Sequence, residues 1–247
     1  MQEIDIRHYN EMLRYERPMD DLRALATWIV ETDNEFTVPS LHGHPKEYIF
    51  SLIKFYSRNF AEDIYDCSRV RDETINRLES GLSSVKKLLN ITPEYIKRAS
   101  DAQLYKNSGF WEMRKYLGQF GDVAESSVEN NVSHLICAGI SGCVVGEYLG
   151  LHYEKLGKDI PVDHMVFVRN GNVPVRGVLP EDTKISGSNV LLVDDAILET
   201  RTMRVMTSTI SAKKPGVKFS AMFLDFEDDQ NVRSYLKNFD HVYQFDE

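Results

Sequence analysis

The chain has 247 residues, of which 42% are hydrophobic and 27% are charged, and this suits one large domain or two small ones. The net charge is −9, with −5 on residues 1–130 and −4 on residues 131–247, so neither half has the positive charge that favours nucleic-acid binding. No apolar run approaches the roughly 18 residues of a membrane-spanning helix.

Cysteine usage and the first residues bear on the compartment. Cys67, Cys137 and Cys143 form no CxxC pair and no metal-binding spacing with histidine, which is typical of a reducing compartment. The first twelve residues lack the basic and apolar regions of a signal peptide. We therefore expect a cytoplasmic protein that does not attach to a membrane.

The first half of the chain has the apolar spacing of helices. Apolar residues recur every three or four positions between Tyr48 and Phe60, and again between Ile75 and Leu89. This spacing gives each predicted helix one apolar face. We expect an all-α N-terminal domain over residues 1–128.

After Ser133 the pattern changes to short apolar runs that alternate with helical stretches. Strands separated by helices of roughly 10–15 residues indicate βαβ units and a parallel sheet. The predicted fold class is therefore α/β, with a parallel-sheet domain over residues 129–247. The predicted strands are 134–138, 162–168, 189–193, 217–224 and 241–245, and the predicted helices are 143–156 and 202–213.

The most informative segment follows the predicted strand 189–193. Two adjacent acids, Asp194 and Asp195, end this strand, and a threonine-rich turn at 200–202 then opens a helix. The free N–H groups of a helix start bind phosphate, and carboxylates accept hydrogen bonds from sugar hydroxyls or hold Mg²⁺ through water. The alternative interpretation is that the acids form a turn and a helix cap.

This segment resembles the signature of the type I phosphoribosyltransferases, in which an apolar strand is followed by two acids, two apolar residues and a phosphate-binding loop. The resemblance covers residues 131–247. It implies that Asp194 and Asp195 are the catalytic acids, which contact the ribose of phosphoribosyl pyrophosphate and Mg²⁺. It also implies a 5′-phosphate loop made of Glu199, Thr200, Arg201 and Thr202.

The segment departs from that signature at two positions. Thr200 stands where the family has glycine, which lets the backbone approach a phosphate closely. Together with the charge of Glu199, Thr200 predicts weaker phosphate binding, which Arg201 offsets. Leu198 stands where purine-salvage members carry an acid that handles the base proton, so that mechanism is not expected here, whereas orotate-type members use no acid at this position.

A second loop, Gly139-Ile140-Ser141-Gly142, follows the predicted strand 134–138. It resembles the pyrophosphate loop of the family in position, and the backbone N–H groups of such a turn can hold a phosphate. The alternative is a plain turn whose glycines permit close packing. Cys143 follows at the predicted helix start, where thiol pKa values fall, but no partner base is recognisable, so packing is the favoured role.

The segment 170–188 is too rich in glycine and proline for regular structure other than a short hairpin. The resemblance implies a mobile flap here that closes over the substrate. Three basic residues are the candidates for pyrophosphate contacts, and the alternative is a solvated surface loop. The candidates are Arg169, Arg176 and Lys184.

The favoured hypothesis is a Mg²⁺-dependent transferase that moves phosphoribose from phosphoribosyl pyrophosphate to a nitrogenous acceptor. A non-catalytic module that senses a nucleotide or phosphoribosyl compound is the alternative, and a structural subunit without a ligand is a third possibility. The resemblance also implies a homo-oligomer. The many aromatic residues of the helical half suggest an interface with a protein partner, and the alternative is that they are buried in the core of that domain.

Overall fold

The chain folds into a six-stranded sheet with helices on both faces. The structure, a computed structural model, describes residues 21–22, 24–26, 45–67, 70–94, 113, 115–170, 173–197, 200–226 and 229–245. The described helices are α1 (Pro45–Cys67), α2 (Asp72–Leu88), a 3₁₀ turn (Leu117–Gln119), α3 (Phe120–Glu129), α4 (Ser141–Lys155), α5 (Arg201–Lys213) and α6 (Gln230–Leu236). The strands are β1 (His134–Ala138), β2 (Val162–Asn170), β3 (Val173–Val178), β4 (Asn189–Ile197), β5 (Lys218–Phe226) and β6 (Val242–Gln244).

The strand order is β3-β2-β1-β4-β5-β6. All neighbouring strands are parallel except β3, which runs antiparallel to β2. The predicted α/β class with a mostly parallel sheet is therefore confirmed. The chain passes from one side of β1 to the other between β3 and β4, so β1 and β4 flank the point where the strand order reverses. Ligands of open α/β sheets bind outside the carboxyl ends of the strands at such a point.

The central strands bury both of their faces. Leu135 and Cys137 of β1 belong to a core shared with α1 to α4, whereas Ile136 and Ala138 belong to a second core shared with α5 and α6. This alternation follows from the two-residue period of a strand, and burial on both sides explains why the parallel strands are nearly continuous apolar runs.

The helical half packs on the sheet domain through α1. Arg58 of α1 donates two hydrogen bonds to Glu154 of α4, at 2.7 and 2.8 Å, and Lys54 donates one to the carbonyl oxygen of Val162 at 2.8 Å. The apolar faces predicted between 48 and 60 and between 75 and 89 form helices α1 and α2, and they enter the same core as one face of the sheet. No helix within the described residues is both long and apolar enough to cross a membrane, and α1, with 23 residues, is too polar to do so.

Several elements differ from the sequence-based prediction. β4 continues to Ile197, so Asp194 and Asp195 lie within the strand, because β5 keeps pairing with it up to Ile197 and Phe226. β2 continues to Asn170, so Arg169 also lies within a strand. Helices α3 and α6 were not predicted, since 10 and 7 residues give too few repeats for a clear helical period.

A buried histidine–carboxylate pair joins the amino-terminal ends of the strands. His134 is fully buried, its Nε2 lies 2.9 Å from Oδ2 of Asp163, and its Nδ1 accepts a hydrogen bond from the Ser186 N–H at 3.0 Å. Burial raises the pKa of the Asp163 carboxyl, but the hydrogen bond from His134 and the electrostatic effect of the neighbouring His134, Lys54 and His164 side chains lower it, and the net result is a pKa below the usual value of aspartate.

Because the pKa of Asp163 is lower in the folded state than in the unfolded chain, its ionised form stabilises the fold above the unfolded value of about 4, and this contribution is lost as the pH falls through the folded value. We expect Asp163→Asn to lower the free energy of unfolding at about pH 6, and the deficit to shrink at about pH 3. Urea unfolding at both pH values tests this, with the exposed Asp159→Asn as control. A deficit that does not change with pH contradicts the prediction.

A second prediction concerns the packing of α4 on β1. A Cβ at Gly146 would overlap the Cys137 sulfur and lie 3.4 Å from its Cβ. Overpacking a core costs about 1–3 kcal/mol, against a gain of about 1 kcal/mol for alanine in a helix. Gly146→Ala should therefore lower the free energy of urea unfolding, whereas Gly121→Ala in α3, where the nearest atom is His152 Nδ1 at 3.8 Å, should not. Equal effects of the two variants contradict the close packing.

Candidate functional site

The turn after β1 depends on a glycine. Gly139 has a φ of +55°, in the left-handed region that glycine adopts without strain. Its N–H donates to the carbonyl oxygen of Met165 at 2.8 Å, which holds the turn against β2. Helix α4 begins at Ser141, after the buried Ile140, whose side chain has no atom that could cap the helix. The turn therefore presents the start of a helix at the carboxyl end of β1.

Gly142 brings the two predicted loops together. A Cβ at this position would lie 2.9 Å from the carbonyl oxygen of Val193 and 3.1 Å from the Cα of Asp194. The first turn of α4 therefore lies directly against the backbone of β4 where the acidic pair begins. Only glycine leaves room for this approach.

The two acids at the end of β4 differ in exposure. Asp194 is 7% exposed, and its Oδ1 accepts a hydrogen bond from the Asp195 N–H at 3.0 Å. Asp195 is half-buried. Consecutive strand residues point to opposite faces of a sheet, so regular alternation directs one carboxylate towards the α5 side and the other towards the α4 side.

Cys143 lies in the first turn of α4 and is fully buried. Its thiol donates a hydrogen bond to the carbonyl oxygen of Gly139. Burial raises the pKa of the Cys143 thiol well above its usual value, and the negative charges of Glu147, Asp194 and Asp195 raise it further. The helix start does not offset these effects, and the Cys143 thiol packs inside the protein.

The β4–α5 loop ends at Thr200, the residue before α5. The Thr200 side chain does not cap the helix, and its hydroxyl instead accepts a hydrogen bond from Nε of Arg204 at 3.1 Å. Thr202 is half-buried and Arg201 is exposed. Glu199, one of the predicted phosphate-loop residues, lies outside the described residues, as does Leu198.

The three predicted basic residues are spread over the segment between β2 and β4. Arg169 pairs with Pro174 near the carboxyl end of β2, and the exposed Arg176 lies opposite Val168, so the expected short hairpin is formed by β2 and β3. Lys184 is exposed and lies two residues before Ser186, whose N–H binds His134 at the amino-terminal end of β1. The structure therefore does not bring Lys184 to the acidic pair.

Metal binding would depend on oxygen atoms of the acidic pair. Within the described ranges, no group of three or more His, Cys, Asp and Glu side chains lies close enough to hold a metal ion by itself. Mg²⁺ is usually held by one or two carboxylates together with water and substrate phosphates. The carboxylates of Asp194 and Asp195 fit that requirement.

A cleft of about 460 Å³ lies on the helical side of the molecule, between α1 and α4, and sequence spacing gives no signal for it. At its floor, Oε1 of the buried Glu147 lies 3.1 Å from Nε2 of the buried His164, and Oε2 lies 3.8 Å from Nη1 of Arg58. The cleft is separate from the two loops described above. Its lining residues are Lys54, Phe55, Arg58, Asn59, Glu62 and Glu147.

No protein-family profile matches the sequence, and no curated protein matches it. Similar solved structures include a purine phosphoribosyltransferase from Pyrococcus horikoshii Ot3, with 16% identity, a TM-score of 0.35, and coverage of 55% of this chain and 83% of that chain. The adenine phosphoribosyltransferase of Thermoanaerobacter pseudethanolicus has 15% identity and a TM-score of 0.38, covering 52% of this chain and 79% of its own.

The adenine phosphoribosyltransferase of Saccharomyces cerevisiae, in complex with adenine and an imino-altritol bisphosphate, has 14% identity and a TM-score of 0.36, with coverage of 52% of this chain and 77% of that chain. All of these structures are purine phosphoribosyltransferases, and each matches about half of the present chain. Likeness at this identity and TM-score does not assign a substrate or an activity.

The contact at Gly142 yields a prediction about the loop geometry. The atoms that a new Cβ would meet belong to the backbone of β4, so Gly142→Ala can be relieved only by moving the first turn of α4. We expect a loss of about 1–3 kcal/mol in the free energy of unfolding. We also expect the buried Cys143 to react faster with a thiol reagent, measured on the modified Cys143 peptide by mass spectrometry, which distinguishes it from Cys67 and from the buried Cys137.

Gly118→Ala is the matched control, because a Cβ there meets no atom within 4 Å. If Gly142→Ala keeps native stability and native Cys143 reactivity, the loop does not lie against β4 as described.

Proposed function

We propose that the chain binds phosphoribosyl pyrophosphate or a nucleotide at the carboxyl ends of β1 and β4, and transfers phosphoribose from the former to a nitrogenous acceptor. The single observation that carries this proposal is the contact at Gly142. It joins the start of α4 to the acidic end of β4, at the point where the strand order reverses. Open α/β sheets bind their ligands at this point.

Each part of the site has a distinct role in the proposal. The carboxylates of Asp194 and Asp195 accept hydrogen bonds from the ribose hydroxyls. The start of α5, with Thr200, Arg201 and Thr202, binds the 5′-phosphate, and Glu199 belongs to the same loop. The backbone N–H groups between Gly139 and Gly142 face the pyrophosphate, and Arg169 and Arg176 come from the neighbouring hairpin.

The protein contributes mainly orientation and charge to such a transfer. The two loops hold the ends of the substrate, so that the carbon that is attacked and the acceptor nitrogen meet in one geometry. N–H groups and arginine side chains stabilise the negative charge that develops on the leaving pyrophosphate. A Mg²⁺ ion held by one carboxylate of the acidic pair and by the substrate would neutralise part of that charge.

A second candidate is a non-catalytic sensor that binds the same ligands and recruits a protein partner. The side chain of Thr200, which stands where the resembled family has glycine, supports this candidate. So does the exposed surface of α1, where Tyr48 and Phe55 are each 50% exposed. Large exposed aromatic residues are enriched in protein interfaces.

The acidic pair supplies the test. We expect calorimetry to detect phosphoribosyl pyrophosphate binding in the presence of Mg²⁺. The double variant Asp194→Asn with Asp195→Asn should bind at least about 100-fold more weakly, because each hydrogen bond to a charged group contributes about 1.5–3 kcal/mol. The matched control removes two adjacent exposed acids, Glu181→Gln with Asp182→Asn, and should bind normally.

Pyrophosphate release across a panel of bases separates the two candidates. Release supports the transferase, and binding without release supports the sensor. Native protein that shows no binding, or an acidic-pair variant that folds and binds normally, contradicts both and leaves a structural subunit.

A further inference from the structure

Arg204 connects the β4–α5 loop to α6. Its Nε donates a hydrogen bond to the Thr200 hydroxyl at 3.1 Å, and its guanidinium carbon lies 4.2 Å from the centre of the Tyr235 ring. Helical side chains lean towards the amino-terminal end of their helix, and here this places the guanidinium of a first-turn residue next to the loop. The Arg204 side chain therefore contacts both the predicted phosphate loop and α6, a helix to which the sequence analysis assigned no role in the site.

The hydrogen bond determines how the Thr200 hydroxyl can be used. A hydroxyl has one proton to donate and two lone pairs that accept. Because the hydrogen bond from Arg204 uses a lone pair of the Thr200 oxygen, it leaves the hydroxyl proton for donation to another group. An anion at the start of α5 is the group that would accept that proton and be attracted by the nearby guanidinium charge.

Tyr235 provides a rigid platform for Arg204. Its hydroxyl lies 3.4 Å from Oγ1 of Thr207, and its ring packs edge-to-face on the buried Phe239 with centroids 5.5 Å apart. Arg204 itself is exposed. A planar guanidinium over an aromatic face gains both electrostatic attraction and stacking, which lysine cannot reproduce. The stack therefore fixes a side chain that would otherwise sample many rotamers.

We propose that Arg204 is a positioning residue for a phosphate group bound at the start of α5, and that Tyr235 holds it in place. Arg204 orients the Thr200 hydroxyl as a donor and adds positive charge beside it. This inference rests on the proposed function and deepens it, because it explains how threonine serves where the resembled family has glycine. The Thr200 hydroxyl donates a hydrogen bond to the phosphate, and this replaces the close contact between backbone and phosphate that a glycine would allow.

The test measures ribose 5-phosphate binding by calorimetry in the native protein and in four variants. Arg204→Lys keeps the charge but loses the Nε hydrogen bond and the stack, and we expect about a three- to tenfold loss of affinity. Tyr235→Leu should lower the affinity about threefold, whereas Tyr235→Phe, which keeps the ring, should bind as the native protein does. Thr200→Ser keeps the hydroxyl and should lose less affinity than Thr200→Val, which removes it.

A double-mutant cycle separates positioning from general stability. If Arg204 acts through Thr200, then adding Arg204→Lys to Thr200→Val should weaken binding little beyond the Thr200→Val change alone. Lys237→Gln, which changes an exposed cation beyond the end of α6, is the control and should leave the affinity unchanged. Urea unfolding of each variant confirms that differences in affinity do not come from a loss of fold.

Three results would overturn the inference while leaving the proposed function intact. They are native affinity in Arg204→Lys, an additive cycle with Thr200→Val, and equal losses in the Phe and Leu variants at Tyr235. A native protein that binds phosphoribosyl pyrophosphate but not ribose 5-phosphate also overturns the inference, whereas a native protein that binds neither compound overturns the proposed function, and both results are visible before any variant is compared.

Discussion

The close approach of α4 to β1 and β4 is the constraint on which the site depends. Gly142 and Gly146 lie one helical turn apart, and each faces atoms that leave no room for a side chain. At Gly146, α4 packs directly on Cys137 of β1, and at Gly142 the first turn of α4 packs on the backbone of β4 at Val193 and Asp194. Because both contacts are on one helix, the turn after β1 and the acidic pair of β4 hold a fixed spacing.

The helical half reinforces this arrangement from the outside. Arg58 joins α1 to α4, and Lys54 joins α1 to the amino-terminal end of β2. The apolar face of α1 shares a core with the face of the sheet that α4 covers. The other face of the sheet has its own core beneath α5 and α6. One loop of the proposed site is therefore supported by the first core and the other loop by the second, and the sheet between them sets their separation.

The sequence predicted the sheet well, because strands buried on both faces are apolar runs and because Gly139 marks the first turn. The end of β4 was harder to predict, since aspartate is rare in strands and only the pairing with β5 keeps Asp194 and Asp195 extended. Contacts between distant residues left no local pattern. Lys184 lies near Ser186, which is bound to His134 at the amino-terminal end of β1, the opposite end of the strands from the acidic pair. Arg204 contacts Tyr235, which is 31 positions later in the sequence.

The extension of β4 to Ile197 has a consequence for the thermodynamics of recognition. The main chain that carries the two acids is already hydrogen-bonded to β5 before a ligand arrives, so ordering it costs no further conformational entropy on association. The entropy that the acidic pair loses then comes from the rotamers of its own side chains. Asp194, whose carboxylate is already hydrogen-bonded to the next backbone amide, has little of that freedom to lose.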